Sequence, residues 1–297
     1  MASMEALSGK RLVIFGCGYV GCAVADAASA ADVHVTALTR NPDTAARLRE
    51  TGVHVVVADL ACDRWHDAVA GGPDFVLNCV SSGGGGTDAY RHSYLQGMES
   101  ILAWARVRPP IGTLLYTSST SVYPQGDGAR VDEQSPAIAA SDRAQLLLET
   151  EARVRSPDGG WGRWFILRLA GIYGPGRHYL IDQVRAGAVA GAAEHHLNVI
   201  HRDDIVSATL ACFAAPATVA SDVFNVADTA AAPKSEVVAW LAGRLHVPVP
   251  PFTGAQAAGR RMVTPDRVIV AGRIASILGW RPAYPTFREG YASLLSH

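Results

Sequence analysis

Three glycines spaced Gly16-x-Gly18-x-x-Gly21 follow directly on the apolar run Leu12–Phe15. After them comes the small-residue stretch Cys22-Ala-Val-Ala-Asp-Ala-Ala, which reads as a helix. Strand, glycine turn and helix together are the setting in which this spacing binds a dinucleotide. Gly16 permits the tight turn, Gly18 lets the backbone approach a pyrophosphate, and Gly21 lets the helix lie close to the strand. The anion then rests on the free N–H groups and positive dipole end of that helix. The competing reading is a glycine-rich turn in any α/β protein. The flanking strand and helix favour the nucleotide.

The second chemical signal stands at the end of the next strand. An NAD site needs a carboxylate about 20 residues beyond the glycines, to bond the ribose 2′-hydroxyl. The chain offers Thr39 and Arg40 there. A guanidinium suits the extra 2′-phosphate of NADP, with charge-assisted hydrogen bonds, so the expected cofactor is NADP (NADPH), with NAD less favoured.

These residues need a scaffold to hold them. Near-continuous apolar runs at Val33–Leu38, Val53–Ala58, Asp74–Val80, Thr113–Thr117 and Trp164–Leu169 read as strands. Segments with helical patterns alternate with them: Asp43–Glu50, a weak one at Asp63–Val69, Asp88–Arg106, and Ser141–Val154 behind a Ser141 cap. Asp222–Val226 reads as a seventh strand. The alternation implies an α/β fold with a Rossmann-type doubly wound parallel sheet. Beyond about Thr229 it fades into an amphipathic helix at Ser235–Leu245, a proline-rich Val247–Pro251 and a helical tail from Arg273. The expected organisation is a Rossmann domain over 1–170, with strand 222–226 added to its sheet. A smaller C-terminal substrate-binding lobe over 171–221 and 227–297 would roof the cleft with Trp240, Val247–Pro251 and Trp280.

Composition narrows the classes. A chain of 297 residues with 49% hydrophobic residues can bury a large core. A formal net charge of −1 leaves no basic excess to attract nucleic acid or a membrane surface. No apolar run approaches a bilayer-spanning length, and Met1–Glu5 lacks the pattern of a signal peptide. The five cysteines are odd in number and form no Cys-x-x-Cys, so reduced thiols in a cytoplasmic protein are expected. His195, His196 and His201 have no carboxylate or cysteine at ligand spacing, so no metal is expected. No Gly-x-Ser-x-Gly elbow marks a serine hydrolase.

Five further stretches carry a resemblance across nearly the whole chain. They are Thr117-Ser-Ser-Thr-Ser-Val-Tyr123, Leu167-Arg-Leu-Ala-Gly-Ile-Tyr-Gly-Pro175, Ile200-His-Arg-Asp-Asp-Ile205, Phe224-Asn-Val226 and Leu278-Gly-Trp-Arg-Pro282. Taken in order, they resemble the extended and atypical short-chain dehydrogenase/reductase family, whose epimerase/dehydratase-like branch the last stretch resembles most. The family usually spaces its glycines Gly-x-x-Gly-x-x-Gly; here Phe15 stands at the first of those positions.

The resemblance implies that Gly16, Gly18, Tyr19, Val20 and Gly21 face the pyrophosphate. Arg40 would meet the adenosine phosphate and Asp59-Leu60 the adenine. Cys79, Val80 and Ser81, with Ala170 and Ile172, would line the path to the nicotinamide. It also implies a Ser/Thr after the fifth strand, matched by Ser119, and a Tyr-x-x-x-Lys pair on the next helix. That pair is missing: by spacing Arg143 takes the tyrosine position and Leu147 the lysine position. Arginine cannot release a proton and leucine has none to release.

The expected catalytic set is therefore Ser119, with Ser118 beside it, Tyr123 as a replacement acid, and Arg143 as a cation facing an anionic part of the substrate. Arg143 pointing to solvent is the competing reading. Tyr173 is expected to be structural, and Asp132 and Glu133 to lie in a solvated acidic loop. The ligand would be a small, anionic carbonyl or hydroxyl compound turned over by an oxidoreductase or epimerase/dehydratase relative; the alternative is a catalytically silent NADP(H) sensor. Relatives pair through the helices around Asp88–Arg106 and Ser141–Val154, so monomer and homodimer both stay open.

Overall fold

The computed structural model describes residues 4–254 and 265–295; Met1–Ser3, 255–264 and the last two residues lie outside it. Seven parallel strands form one sheet: β1 (Arg11–Phe15), β2 (His34–Thr39), β3 (His54–Val57), β4 (Phe75–Asn78), β5 (Ile111–Ser119), β6 (Trp161–Leu169) and β7 (Asp222–Val226). Their spatial order is β3-β2-β1-β4-β5-β6-β7. The order reverses between β1 and β4, and a ligand cleft opens at such a reversal, beyond the carboxyl ends of the strands.

Both faces of the sheet are apolar because helices cover both. On one face Val24, Ala25 and Ala28 of α1 (Tyr19–Ala30) pack with Leu12, Ile14, Leu77 and Leu115, backed by Ile205, Ala208 and Phe213. On the other, Phe15, Trp65, Trp104 and Tyr116 form an aromatic cluster with Met98 and Ile101. Phe15 occupies the place of the family's usual first glycine, and its ring lies 4.8 Å from that of Trp65. The tighter glycine spacing thus puts a core aromatic where a bare turn would stand.

The C-terminal lobe has its own cluster. Tyr173, Leu180, Val184, Val237, Val238, Leu241, Phe287 and Tyr291 pack together, with Trp240 at the edge. Other late residues join the main core instead: Ile269, Ile274 and Trp280 belong to it. Arg267 is buried and donates to the Thr120 and Tyr123 carbonyls at 3.0 and 2.8 Å.

Local expectations diverge in three places. Asp63–Val69 holds only a short 3-10 turn, Asp63–Trp65, because Trp65 is drawn into the core and its indole N–H donates to the Leu60 carbonyl. The segment expected as one helix from Asp88 to Arg106 runs Thr87–Arg106, but turns 91–96 are wide π turns. Third, the acidic loop is not solvated throughout. Ala129–Val131 pairs with Arg267–Ile269, and Glu133 is half-buried, accepting from the Asn225 N–H at 2.7 Å. Burial raises the Glu133 pKa even though that N–H pulls it down.

Asp228 lies just after β7, 3% exposed. Burial first, opposed by the Ala230 N–H and reinforced by Glu289 and Asp204, pushes its pKa up from 3.8 to about 7. Between these values the native protein holds a proton that the unfolded chain releases. Rising pH therefore lowers stability across that window. Asp228→Asn keeps the neutral shape and removes the penalty. Its melting temperature is expected to exceed that of the unmutated protein by roughly 5 °C or more at pH 8, and to match it near pH 4. Equal differences at the two pH values would contradict the burial argument.

Candidate cofactor and active site

The site begins where β1 ends. Gly16 has φ +94°, and a Cβ there would stand 2.6 Å from the Val80 backbone, so a side chain is excluded twice over. A Cβ on Gly21 would lie 2.4 Å from the Gly16 carbonyl oxygen and 2.9 Å from Cys79 Sγ. That absence of bulk lets α1 start against the ends of β1 and β4. Gly18 faces open space, and no side chain caps α1 at that end. Its first N–H groups are thus orphaned and aimed into the cleft, the arrangement that binds an anion.

The cleft has a volume of about 1060 Å³. It is lined by Gly16, Gly18, Tyr19 and Val20 at the turn, Arg40, Asp59 and Leu60 at one end, and Cys79, Val80, Ser81, Ser119, Ala170 and Ile172 at the other. Gly21 is the one expected cofactor residue set behind the lining, where its role is packing.

At the adenosine end Asn41 caps α2 (Pro42–Glu50), accepting from Asp43 and Thr44 N–H. This orders the backbone next to Arg40, whose side chain is 52% exposed. Arg40 Nη1 sits 3.5 Å from Asp59 Oδ2, a loose contact that leaves most of the guanidinium's donors unused. Asp59 is held more tightly by the Ala61 N–H at 2.9 Å and by His92 Nε2 at 3.0 Å. Burial raises the Asp59 pKa, but His92, the Ala61 N–H and Arg40 together bring it below the usual carboxylate range. The same hydrogen bond to Asp59 raises the His92 pKa.

The catalytic expectations fare unevenly. Ser119 lines the cleft; its Oγ accepts from the Ser121 N–H and keeps its own proton free to donate. Ser118 also reaches the lining, but its hydroxyl donates to buried Glu151 at 2.7 Å. Tyr123 must be set aside as an acid facing the substrate. It is 1% exposed and absent from the lining, and its hydroxyl accepts from Arg168 Nη1 and donates to Asn225 Oδ1, both at 2.9 Å.

Arg143 is not spent on solvent, nor does it enter the lining. Its guanidinium lies 4.6 Å from the centre of the Tyr90 ring and donates to the Gly85 carbonyl at 3.4 Å. The cation is thus held by a ring and a loop rather than offered to an anionic substrate. Leu147 does line the cleft.

Sequence reasoning missed Tyr90, Tyr94 and Arg177, which also line it. A signal existed for the first two: tyrosines four apart lie on one face of the helix that follows the four-glycine run. The π turns that separate them bring their rings to 5.0 Å. The histidines are employed elsewhere. His196 Nδ1 pairs with Asp266 at 3.0 Å, and His201 caps the helix Arg202–Phe213. Among the described residues no group of three His, Cys, Asp or Glu could hold a metal ion, and no helix is long and apolar enough to cross a membrane.

A doubly wound sheet with an anion-binding turn at its switch point defines a dinucleotide-binding protein. Comparison with known proteins places it more closely. The profile of the NAD dependent epimerase/dehydratase family matches residues 12–227, and the chain belongs to that family. Protein YeeZ of Escherichia coli is 27% identical over 281 residues, covering 93% of this chain and 97% of that one. A 3-diazoavenalumate denitrifying reductase from Streptomyces is 28% identical over 325 residues, covering 95% and 98%. Among solved structures, UDP-glucuronic acid 4-epimerase from Bacillus cereus, in complex with UDP-glucuronic acid and NAD, has the same fold. It aligns with a TM-score of 0.78 at 16% identity, over 96% of this chain and 98% of that one.

Gly16→Ala tests the turn. The added methyl meets backbone, which cannot rotate away. Dinucleotide binding measured by calorimetry is expected to fall below detection while the circular dichroism spectrum stays native. Retained binding would show that the turn tolerates the rearrangement.

Proposed function

We propose that this chain is an NADP(H)-dependent oxidoreductase that reduces a small carbonyl compound, or oxidises the matching alcohol. The observation that carries the reading is that one cleft is lined both by the uncapped α1 N-terminus and by Arg40. The first suits a diphosphate and the second a ribose 2′-phosphate, a group that NADP has and NAD lacks. Reductase chemistry in a relative alignable end to end supports reduction over epimerisation.

When bound, the nicotinamide would supply or accept the hydride. The protein's own residues have to place the substrate oxygen and handle its proton. Ser119 Oγ, with its backbone acceptor role filled by Ser121, has a proton to donate toward that oxygen. Tyr90 is the phenol best placed to act as the acid. Tyr19 is engaged, its hydroxyl donating to the Pro175 carbonyl at 3.0 Å. Burial raises the Tyr94 pKa and keeps the proton on it, and its hydroxyl shares a hydrogen bond with Tyr90. Tyr90 lies against it, with ring centres 5.0 Å apart, and lines the cleft. Arg143, standing where relatives of the usual type carry tyrosine, becomes a positioning residue: its cation over the ring holds Tyr90 in place beside the cleft.

Two measurements test this. NADPH is expected to bind more tightly than NADH by calorimetry, and Arg40→Asp to erase the difference, a loss of about 1.5–3 kcal/mol. Equal affinities for the two cofactors in the unmutated protein would remove the NADP argument. With NADPH oxidation followed across a panel of aldehydes, ketones and keto acids, Tyr90→Phe is expected to cut turnover by roughly 100-fold or more, with NADPH affinity unchanged. Turnover undiminished in Tyr90→Phe would return the acid role to another group. Tight NADPH binding without any turnover would instead make the protein a sensor.

A further inference from the structure

Arg177 follows β6 by eight residues and closes the tight turn Gly174-Pro-Gly-Arg177, whose end residues exchange two backbone hydrogen bonds at 3.1 and 2.9 Å. The turn is pinned to the start of α1, because the Tyr19 hydroxyl donates to the Pro175 carbonyl. Two guanidiniums flank the Tyr19 ring, Arg177 at 5.6 Å and Arg202 at 5.4 Å. They differ in one respect. Arg202 is paired with the Asp203 carboxylate at 2.9 Å. Arg177 has no carboxylate within ion-pair distance among the described residues, and it lines the cleft.

Arg177 is exposed and has no carboxylate partner among the described residues, so its guanidinium donors are available to an anion that binds at the positive end of the helix. Here both face the same space: the cleft is lined by Gly18 and Tyr19 at the start of α1 and by Arg177, which lies over the Tyr19 ring. We infer that Arg177 is a diphosphate-binding residue, joining the α1 N-terminus in holding the cofactor's pyrophosphate. The inference rests on the NADP(H) reading above and adds to it a contact from the C-terminal half of the chain. It also gives the cofactor a mechanical role. The turn that carries Arg177 begins next to Tyr173, whose ring packs at 4.7 Å from Tyr291. A bound diphosphate would thus tie the roof of the cleft to its floor.

Binding alone tests this, without any substrate. Three ligands are titrated by calorimetry into the unmutated protein, Arg177→Ala and Arg177→Lys: NADPH, 2′-phosphoadenosine-5′-diphosphoribose, and adenosine 2′-phosphate. The first two carry the diphosphate and the third does not. Arg177→Ala is expected to weaken NADPH and the diphosphoribose alike, roughly 10- to 100-fold, and to leave adenosine 2′-phosphate within about twofold. Arg177→Lys, which keeps the charge but not the fork, is expected to fall between. Unchanged affinity for both diphosphate ligands would overturn the inference and leave the cofactor reading standing. Equal weakening of all three would overturn it too, as a general disturbance of the cleft. Failure of the unmutated protein to bind any of them would overturn the cofactor reading itself.

Discussion

The ion pair between Glu151 and Arg168 holds one side of the cleft in place. Glu151 is wholly buried on the helix Asp142–Val154, and Arg168 is 4% exposed on β6. Two charge-assisted bonds join them, Nε to Oε1 at 3.0 Å and Nη2 to Oε2 at 2.7 Å. Two buried charges are tolerable only when nearly every lone pair and proton is used. The surroundings meet that demand: Ser118 and Arg155 also donate to Glu151, and Arg168 donates onward to Tyr123. Tyr123 then reaches Asn225 on β7, which contacts Val270 and Glu133. One chain of hydrogen bonds therefore fixes a helix, three strands and part of the C-terminal lobe.

That network explains why the tyrosine after β5 is structural. A phenol satisfied on both sides inside a buried ion network has no proton to lend without leaving a charge unpaired. It also explains how the helix tolerates losing the family's tyrosine and lysine. Its register against the sheet is set by Glu151 and by the Ser141 cap, neither of which needs the missing pair. The two vacated positions are then free to change, one to a cation that reaches across to Tyr90 and one to an apolar wall.

The cleft is electrically uneven in a way that suits a nucleotide. Three positive groups line it: the α1 N-terminus, Arg40 and Arg177. The remaining wall is made of hydroxyls and apolar groups, from Ser81, Ser82 and Ser119 to Leu147 and Ile172. Asp59 moderates the positive end, since His92 and the Ala61 N–H hold it charged beside Arg40.

The sheet, the glycine turn and most of the cleft-lining residues could be read from the sequence because their causes are local. A run such as Val13-Ile-Phe or Phe75-Val-Leu is apolar on both faces whatever surrounds it. Gly16 and Gly21 are required by backbone geometry within a few residues of themselves. The empty tyrosine and lysine positions were likewise visible as residue types at a fixed spacing. What each polar side chain does was not. Tyr123 and Tyr90 are the same phenol in the sequence; one is sealed between Arg168 and Asn225, 45 and 102 residues away, and the other is left open to the cleft. Glu133 looked solvated until β7 came to lie against it. Arg143 and Arg177 took their meaning from a ring and a turn brought beside them by the fold. The partners of a charge or a hydroxyl are set by long-range packing, and only the tertiary structure supplies them.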